Sequence, residues 1–353
     1  MKAILAIDSF KGCLTSKEAN NAAAKAIHDI FPDAETIEIP VSDGGEGWLD
    51  AFHAAIGGEI ITIDVCDPLL RPIHADYLKC GDLAAIEVAK ACGLTLLAPD
   101  ERNPLVASTY GVGQLVVDAV RRGCRRIVVG LGGSGTSDAG KGMVKAIEEG
   151  LNDGKPMTDC PTLSGVRFSI ASDVDNPLCG PRGAAHIFAP QKGATPEMVE
   201  ILDRQAAEFA KAAAEAFGHD CSLRPGAGAA GGLGYAFMQF LNADCQLGIE
   251  LLLDTIRFAE IVHNADIVFT GEGSADRQTL MGKLPFGVMR RARTEGVPTY
   301  LIAGRVADRQ ALLDAGFAEA VSINPPDLSF EQAILPQNAK SNIATTVKSL
   351  LSQ

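Results

Sequence analysis

Ala3-Ile-Leu-Ala-Ile7, followed by the loop Asp8-Ser-Phe-Lys-Gly12 and a helical stretch reaching about Ile30, decides the fold of this chain. The five apolar residues form a short unbroken run, the pattern of a strand buried on both faces of a parallel sheet. Thr15 or Ser16 can cap the helix, with Glu18 near the capping-box position. A second strand is expected over Glu35 to Pro40, ending in the loop Ser42-Asp-Gly-Gly-Glu-Gly47. That spacing is β-α-β.

Working outward, the C-terminal third repeats the pattern. Asp266-Ile-Val-Phe269 reads as a strand running into Thr270-Gly-Glu-Gly273, and a helix begins near Leu284 or Pro285. Thr299 to Ala303 and Ala320 to Ile323 are further strands, and the tail from Phe330 is helical. The middle differs. Glu59 to Val65, Ile73 to Leu78 and Ala84 to Val88 suggest strands in succession without long helices between them, so a mixed sheet is expected there. Helices return at Gly111 to Arg122, Ala139 to Glu149, Pro196 to Phe217 and Gly231 to Leu241. A discontinuous α/β domain interrupted by a mixed α/β domain accounts for both halves of the pattern.

Composition narrows the function. Among 353 residues, 47% are hydrophobic and 21% charged, enough apolar material for two cores and too little charge for a disordered chain. The net charge of −13 argues against a nucleic-acid or anionic-membrane surface, since both need a dominant basic field. It still permits a phosphate ligand held by a few lysines, backbone N–H groups and a divalent cation. Nine cysteines without a C-x-x-C pair point to free thiols in a reducing compartment. No leader peptide or membrane span is evident, so cytoplasm is the expected location.

The glycine loops offer two misleading matches. Gly130, Gly132 and Gly135 satisfy the dinucleotide spacing G-x-G-x-x-G, but Pro225-Gly-Ala-Gly-Ala-Ala-Gly231 satisfies it too. Gly135, Gly140 and Lys141 nearly complete a Walker A, but Gly142 stands where Ser or Thr must hold Mg²⁺. What both motifs share survives. Glycines let N–H groups converge, a helix starting near Asp138 adds a positive dipole end, and Ser134, Thr136 and Ser137 add hydroxyls. An anion suits this loop.

Asp8, Asp43, Asp138, Asp173, Glu272 and Asp276 all fall in loops, most of them directly after a strand. Ligands of open α/β sheets gather at those strand ends. Carboxylates clustered there repel unless a cation joins them, and Mg²⁺ takes one or two carboxylates plus phosphate oxygens. Lys11, Lys192 and Lys283, each beside a glycine, are candidate phosphate contacts. An Mg²⁺–nucleotide site follows. The six histidines form no ligand pattern, and no G-x-S-x-G element supports a hydrolase.

Taken in order, these loops resemble one family. Asp8-Ser-Phe-Lys-Gly12 with Glu18-Ala19, Pro40 to Gly47, Leu131-Gly-Gly-Ser134, Asp173-Val-Asp-Asn-Pro-Leu178, Ala189-Pro-Gln-Lys-Gly193, Pro225 to Gly232, and Thr270 to Thr279 with Gly282-Lys283 are similar to the signatures of class I glycerate kinases. The resemblance runs from residue 1 to about 350. It implies phosphorylation of D-glycerate by ATP, with Mg²⁺, to 2-phosphoglycerate, in organic-acid catabolism. It implies a flavodoxin/Rossmann-like parallel-sheet domain over residues 1–65 and 285–353, an inserted mixed domain over 66–284, and a site in the cleft between them. A monomer or homodimer is expected, with no nucleic-acid or membrane partner.

On that resemblance, Asp173, Asp8 and Lys11 are the candidate catalytic residues. Ser9, Gly44, Gly132, Gly133, Ser134, Asp138, Asn176, Gln191, Lys192, Gly271, Gly273, Gln278 and Lys283 are expected to bind substrate or nucleotide. Asp43, Glu46, Glu272 and Asp276 are expected to hold the metal. Two departures stand out, because Ser137 replaces the family's usual Asn and Lys141 adds an unusual charge. A nucleotide- or sugar-acid-binding regulator without catalysis, and a kinase for another hydroxy acid or small polyol, are the rival readings.

Overall fold

A computed structural model describes residues 1–10, 12–42 and 47–352. Its strands are β1 (Lys2–Ile7), β2 (Glu35–Glu38), β3 (Glu59–Cys66), β4 (Pro72–Cys80), β5 (Leu83–Glu87), β6 (Arg126–Gly130), β7 (Arg167–Ala171), β8 (Asp244–Gln246), β9 (Ile267–Ala275), β10 (Thr299–Val306) and β11 (Glu319–Ser322). The chain divides into two compact units, Met1–Ser42 with Leu252–Gln353, and Asp43–Leu251. These divisions fall away from the expected ones at 65/66 and 284/285, and strand pairing gives the reason. β3 pairs with β4 along its whole length and so belongs to the mixed unit, while β9 lies between β1 and β10 in the parallel sheet.

The first unit is a five-stranded sheet in the order β11-β10-β9-β1-β2, with every pair parallel. Read from β2, this is the flavodoxin strand order 2-1-3-4-5. Burial of Ala3 to Ile7 explains the uninterrupted apolar run, since both faces of the sheet are covered. On one face Leu5 and Ile7 pack against Ala19, Ala23 and Ile27 and against Ala339, Ile343 and Val347. On the other, Leu301 and Ala303 meet Met289 and Leu312. β9 continues through Thr270-Gly-Glu-Gly273, read from sequence as a loop, because β10 continues beside it and pairs Arg305 with Ser274.

The helix Ser16–Ile30 starts at the expected capping box. Thr15 Oγ1 accepts from the Glu18 N–H at 3.2 Å, and the Glu18 carboxylate accepts from the Thr15 N–H at 3.0 Å. Lys340, 2.8 Å away, and the cap hold the Glu18 carboxyl down to about 2. Both side chains are exposed, so the pair adds at most about 1 kcal/mol.

The buried stripe of this helix carries two polar residues at i and i+4. Ser16 Oγ donates to the Ile7 carbonyl at 2.5 Å and accepts from the Val41 N–H at 3.0 Å. Asn20 Oδ1 accepts from the Ile7 N–H at 3.0 Å, and its Nδ2 donates to the Ile39 carbonyl at 3.2 Å. Together they clamp the carboxyl ends of β1 and β2, where the signature loops begin. Asn20→Leu leaves Ile7 N–H and Ile39 C=O buried and unpaired, so a loss of about 2 kcal/mol is expected. Urea unfolding that shifts by less than about 0.5 kcal/mol would show that the clamp is not needed.

The second unit carries a six-stranded sheet in the order β3-β4-β5-β6-β7-β8, antiparallel over the first three strands and parallel thereafter. Helices Tyr110–Arg121, Lys141–Leu151 and Ala229–Leu241 contribute Val112, Met143, Leu233 and Phe237 to its core. β7 and β8, both short, have no counterpart among the strands expected from sequence. Among the described residues, no helix is long and apolar enough to cross a membrane.

Candidate active site

Two sets of signature residues gather at strand ends, one in each unit. In the parallel unit the strand order reverses between β1 and β9, and the crevice beyond such a switch point is where open sheets place ligands. Asp8 sits there, its N–H donating to the Gly271 carbonyl at 3.0 Å and its carboxylate accepting from the Ser9 N–H at 2.6 Å. Gly271 has no space for a side chain, because an added Cβ would lie 2.2 Å from the Ile302 carbonyl oxygen. Asp8 and Glu272 thus come from paired neighbours, as the expectation of a shared site requires.

Glu272 is buried. Thr279 Oγ1 donates to its Oε1 at 2.6 Å, and Lys283 Nζ lies 3.4 Å from Oε2. Burial pushes this carboxyl above its usual range, and the bonds from Thr279 and Lys283 pull against that shift. Asp276 has a local task. Its Oδ1 accepts from the Gln278 N–H at 2.7 Å, which starts the turn carrying Thr279 toward Glu272. Gly273 is the first exposed position of the strand, and Lys283 precedes the helix Leu284–Thr294.

In the mixed unit a cavity of about 420 Å³ opens beyond the ends of β6 and β7. Gly132, Gly133, Ser134, Asp173, Gln191 and Lys192 all line it. The glycine loop is pinned from outside, with Leu94 N–H donating to Gly133 O at 2.9 Å and Gly135 N–H to Cys92 O at 2.7 Å. Asp173 Oδ1 accepts from the Gly248 N–H at 3.1 Å. Lys192 is only 2% exposed. Its ammonium donates to Ser134 Oγ at 3.0 Å and to the Thr136 carbonyl at 2.7 Å. Burial lowers it to about 8, although Cys92 and Asp138 favour the charged form.

Other expected residues are occupied elsewhere. Asp138 accepts from the N–H groups of Thr109, Gly140 and Gly142 and from the Thr109 hydroxyl, which ties the helix start at Lys141 to the preceding helix. Its carboxylate is an organiser of the loop. Asn176 Nδ2 donates to the Arg182 carbonyl at 2.8 Å and does not line the cavity. Lys141, the near-Walker lysine, reaches the Gln205 carbonyl and the Phe209 ring, consistent with the failed motif. Lys11, Asp43, Gly44 and Glu46 lie outside the described residues. Among the described residues, no group of three metal-ligating side chains converges.

Sequence reasoning missed the walls and the supports. Leu94, Ala171, Phe188 and Ala229 close the cavity, but apolar residues carry no chemical signal. The Ser16–Asn20 pair had one available signal: a polar pair spaced i, i+4 on an otherwise alanine-rich helix face.

Known proteins resemble this chain along its whole length. The model of the glycerate kinase family matches residues 3–353. The glycerate kinase of Bacillus subtilis (strain 168) is 40% identical, over 94% of this chain and 93% of its own. The glycerate 2-kinase of Escherichia coli (strain K12) is 38% identical, over 98% of each chain. A crystal structure from Salmonella typhimurium LT2 assigned as glycerate kinase 2 superposes with a TM-score of 0.86 at 35% identity, covering 100% of this chain and 97% of that one. A switch-point carboxylate pair, a lysine-bearing glycine cavity and similarity along the whole length lead to one conclusion: this chain is a phosphotransferase that belongs to the glycerate kinase family.

Proposed function

We propose that the enzyme transfers the γ-phosphoryl group of ATP to the 2-hydroxyl of D-glycerate, releasing ADP and 2-phosphoglycerate. The cavity of the mixed unit carries this reading, because it sets a buried cation, Lys192, and a carboxylate, Asp173, in one lining. Phosphoryl transfer asks mainly for positioning and charge neutralisation. Asp173, or Asp8 at the switch point, orients the 2-hydroxyl and accepts its proton. Gln191 and the loop N–H groups at Gly132 and Gly133 hold the acceptor or the transferred group. The sequence similarity supports glycerate as acceptor, since relatives at 38–40% identity are named for it.

Mg²⁺ would supply charge neutralisation at the β- and γ-phosphates. Its modest demand for protein oxygens fits a buried carboxylate such as Glu272, whose second oxygen has only a long contact to Lys283 at 3.4 Å. Asp276, and Asp43 and Glu46 in the second signature loop, complete the proposed metal set. Lys283 would balance phosphate charge. The reaction is placed in the cytoplasm, where nine free thiols stay reduced, with the protein acting as monomer or homodimer.

A coupled ADP assay across D-glycerate, L-glycerate, lactate and glycerol tests the acceptor, and NMR of the product tests the position. Turnover with D-glycerate and phosphorus on C2 is the expected result. ADP release independent of acceptor, or phosphorus on C3, would overturn it. Removal of Mg²⁺ by chelation is expected to abolish turnover and to leave the thermal midpoint unchanged.

A further inference from the structure

Lys192 is an ammonium almost fully removed from water. An ammonium has three N–H donors, and two of them go to Ser134 Oγ and the Thr136 carbonyl. Both acceptors are neutral. The nearest contributing carboxylate, Asp138, spends its oxygens on Thr109, Gly140 and Gly142. Among the described residues no carboxylate forms an ion pair with Lys192. A buried charge of this kind is costly without an anion beside it, and Lys192 lines the cavity.

The cavity's charge count says which anion. Lys192 and Asp173 are the ionisable side chains of the described lining, one positive and one negative. A ligand with a single negative end and a hydroxyl matches both. A triphosphate would bring several negative charges past Asp173 against one cation. We propose that Lys192 is the specificity-determining residue of the acceptor site, binding the carboxylate of the hydroxy acid and thereby excluding neutral polyols. The assignment rests on the proposed reaction and deepens it: the carboxylate goes to Lys192, so the neighbouring hydroxyl faces Asp173. The resulting order, acid head to the lysine and 2-hydroxyl to the aspartate, favours 2-hydroxy acids as a class.

The test compares D-glycerate with its neutral amide, glyceramide, on the wild type and on Lys192→Met. The ratio of kcat/KM for glycerate to that for glyceramide is expected to fall by roughly 10²-fold or more in the variant, with KM for ATP little changed. A merely structural role would lower both acceptors together and keep the ratio, which overturns the assignment. A rise in KM for ATP with KM for glycerate unchanged makes the bound anion a nucleotide phosphate and overturns it equally.

If Lys192→Met does not fold, the wild type still decides. Lys192 is lowered to about 8, with Cys92, Asp138 and Asp173 as the ionisable groups around it. The Cys92 thiol is pushed up to about 12 by burial and stays neutral through this range. KM for glycerate should therefore climb by about tenfold per pH unit above pH 8 as the ammonium loses its proton, while KM for ATP stays flat. A flat glycerate KM between about pH 7 and 9.5 overturns the proposal. A wild type that makes no product from glycerate fails the proposed reaction instead. Calorimetric titration then reads Lys192 directly, and equal binding of glycerate and glyceramide refutes its role.

Discussion

Asp173→Asn is expected to lower turnover with D-glycerate by about 10²-fold or more, with the thermal midpoint held within about 2 °C. Asn is close in shape and keeps an Oδ1 to accept the Gly248 N–H, now at 3.1 Å, so the loop after β7 should hold its place. What the variant would lose, under the proposed reaction, is the charge and the basicity that the acceptor hydroxyl needs as its oxygen attacks phosphorus. KM for ATP should move little, because the change acts on proton transfer. Asp8→Asn is the companion, since Asp8 occupies the switch point and bonds the Ser9 N–H in the same way. One of the two should show the large loss. Near-normal turnover in both folded variants would remove both from the role of base.

Gly231→Ala is expected to cost about 3 kcal/mol or more in stability and to raise KM for glycerate. Gly231 has φ +68 within the helix Ala229–Leu241, between Ala230 at φ 51 and Gly232 at φ 91, so the chain makes a left-handed bend there. An added Cβ would lie 2.0 Å from the Thr136 carbonyl oxygen and 2.7 Å from Ser137 Cα. That carbonyl is one of the two acceptors holding Lys192. The clash therefore strikes the backbone behind the buried ammonium. Gly154→Ala is the control, because Gly154 has a similar φ of +75 with nothing within 4 Å of an added Cβ. It should cost about 1–2 kcal/mol, the penalty of the left-handed conformation alone. Equal losses in calorimetric unfolding would mean that close packing at Gly231 contributes nothing.

Much of the fold was legible because its strands are buried on both faces. Ala3 to Ile7 reads as a strand from composition alone, and the capping signal at Thr15 or Ser16 marks the helix start to within one residue. β8, with only Asp244 to Gln246, carries too little pattern to read. The division of the chain was harder, since a strand's sheet depends on its partner. β3 and β9 could be recognised as strands, but only their registers with β4 and β1 assign them to a unit. In the site, residue type pointed to Lys192, Asp173 and Glu272, because they are charged groups beside glycines or at the strand ends where open sheets gather ligands. It could not separate them from Asp138, whose position is equally suggestive. Only the donors around that carboxylate show that it builds the loop. Ser16 and Asn20 escaped because a polar residue facing a core looks, in one dimension, like one facing water.

The pairing of β1 with β9 has a consequence for synthesis. Thr270 Oγ1 bonds the Ala6 carbonyl from 264 residues downstream. β1 thus waits for a neighbour that emerges after the whole of the mixed unit. At about 5–20 residues per second, that delay is on the order of 10–50 s. Through it, a run of side chains that end up fully buried is covered only by β2 and the helix Ser16–Ile30, and its β9 edge stays open to the wrong partner. The mixed unit is continuous, from Asp43 to Leu251, and is complete before β9 exists. Nascent chains are therefore most vulnerable at β1, from its emergence until β9 follows, and a holdase bound there would have most effect.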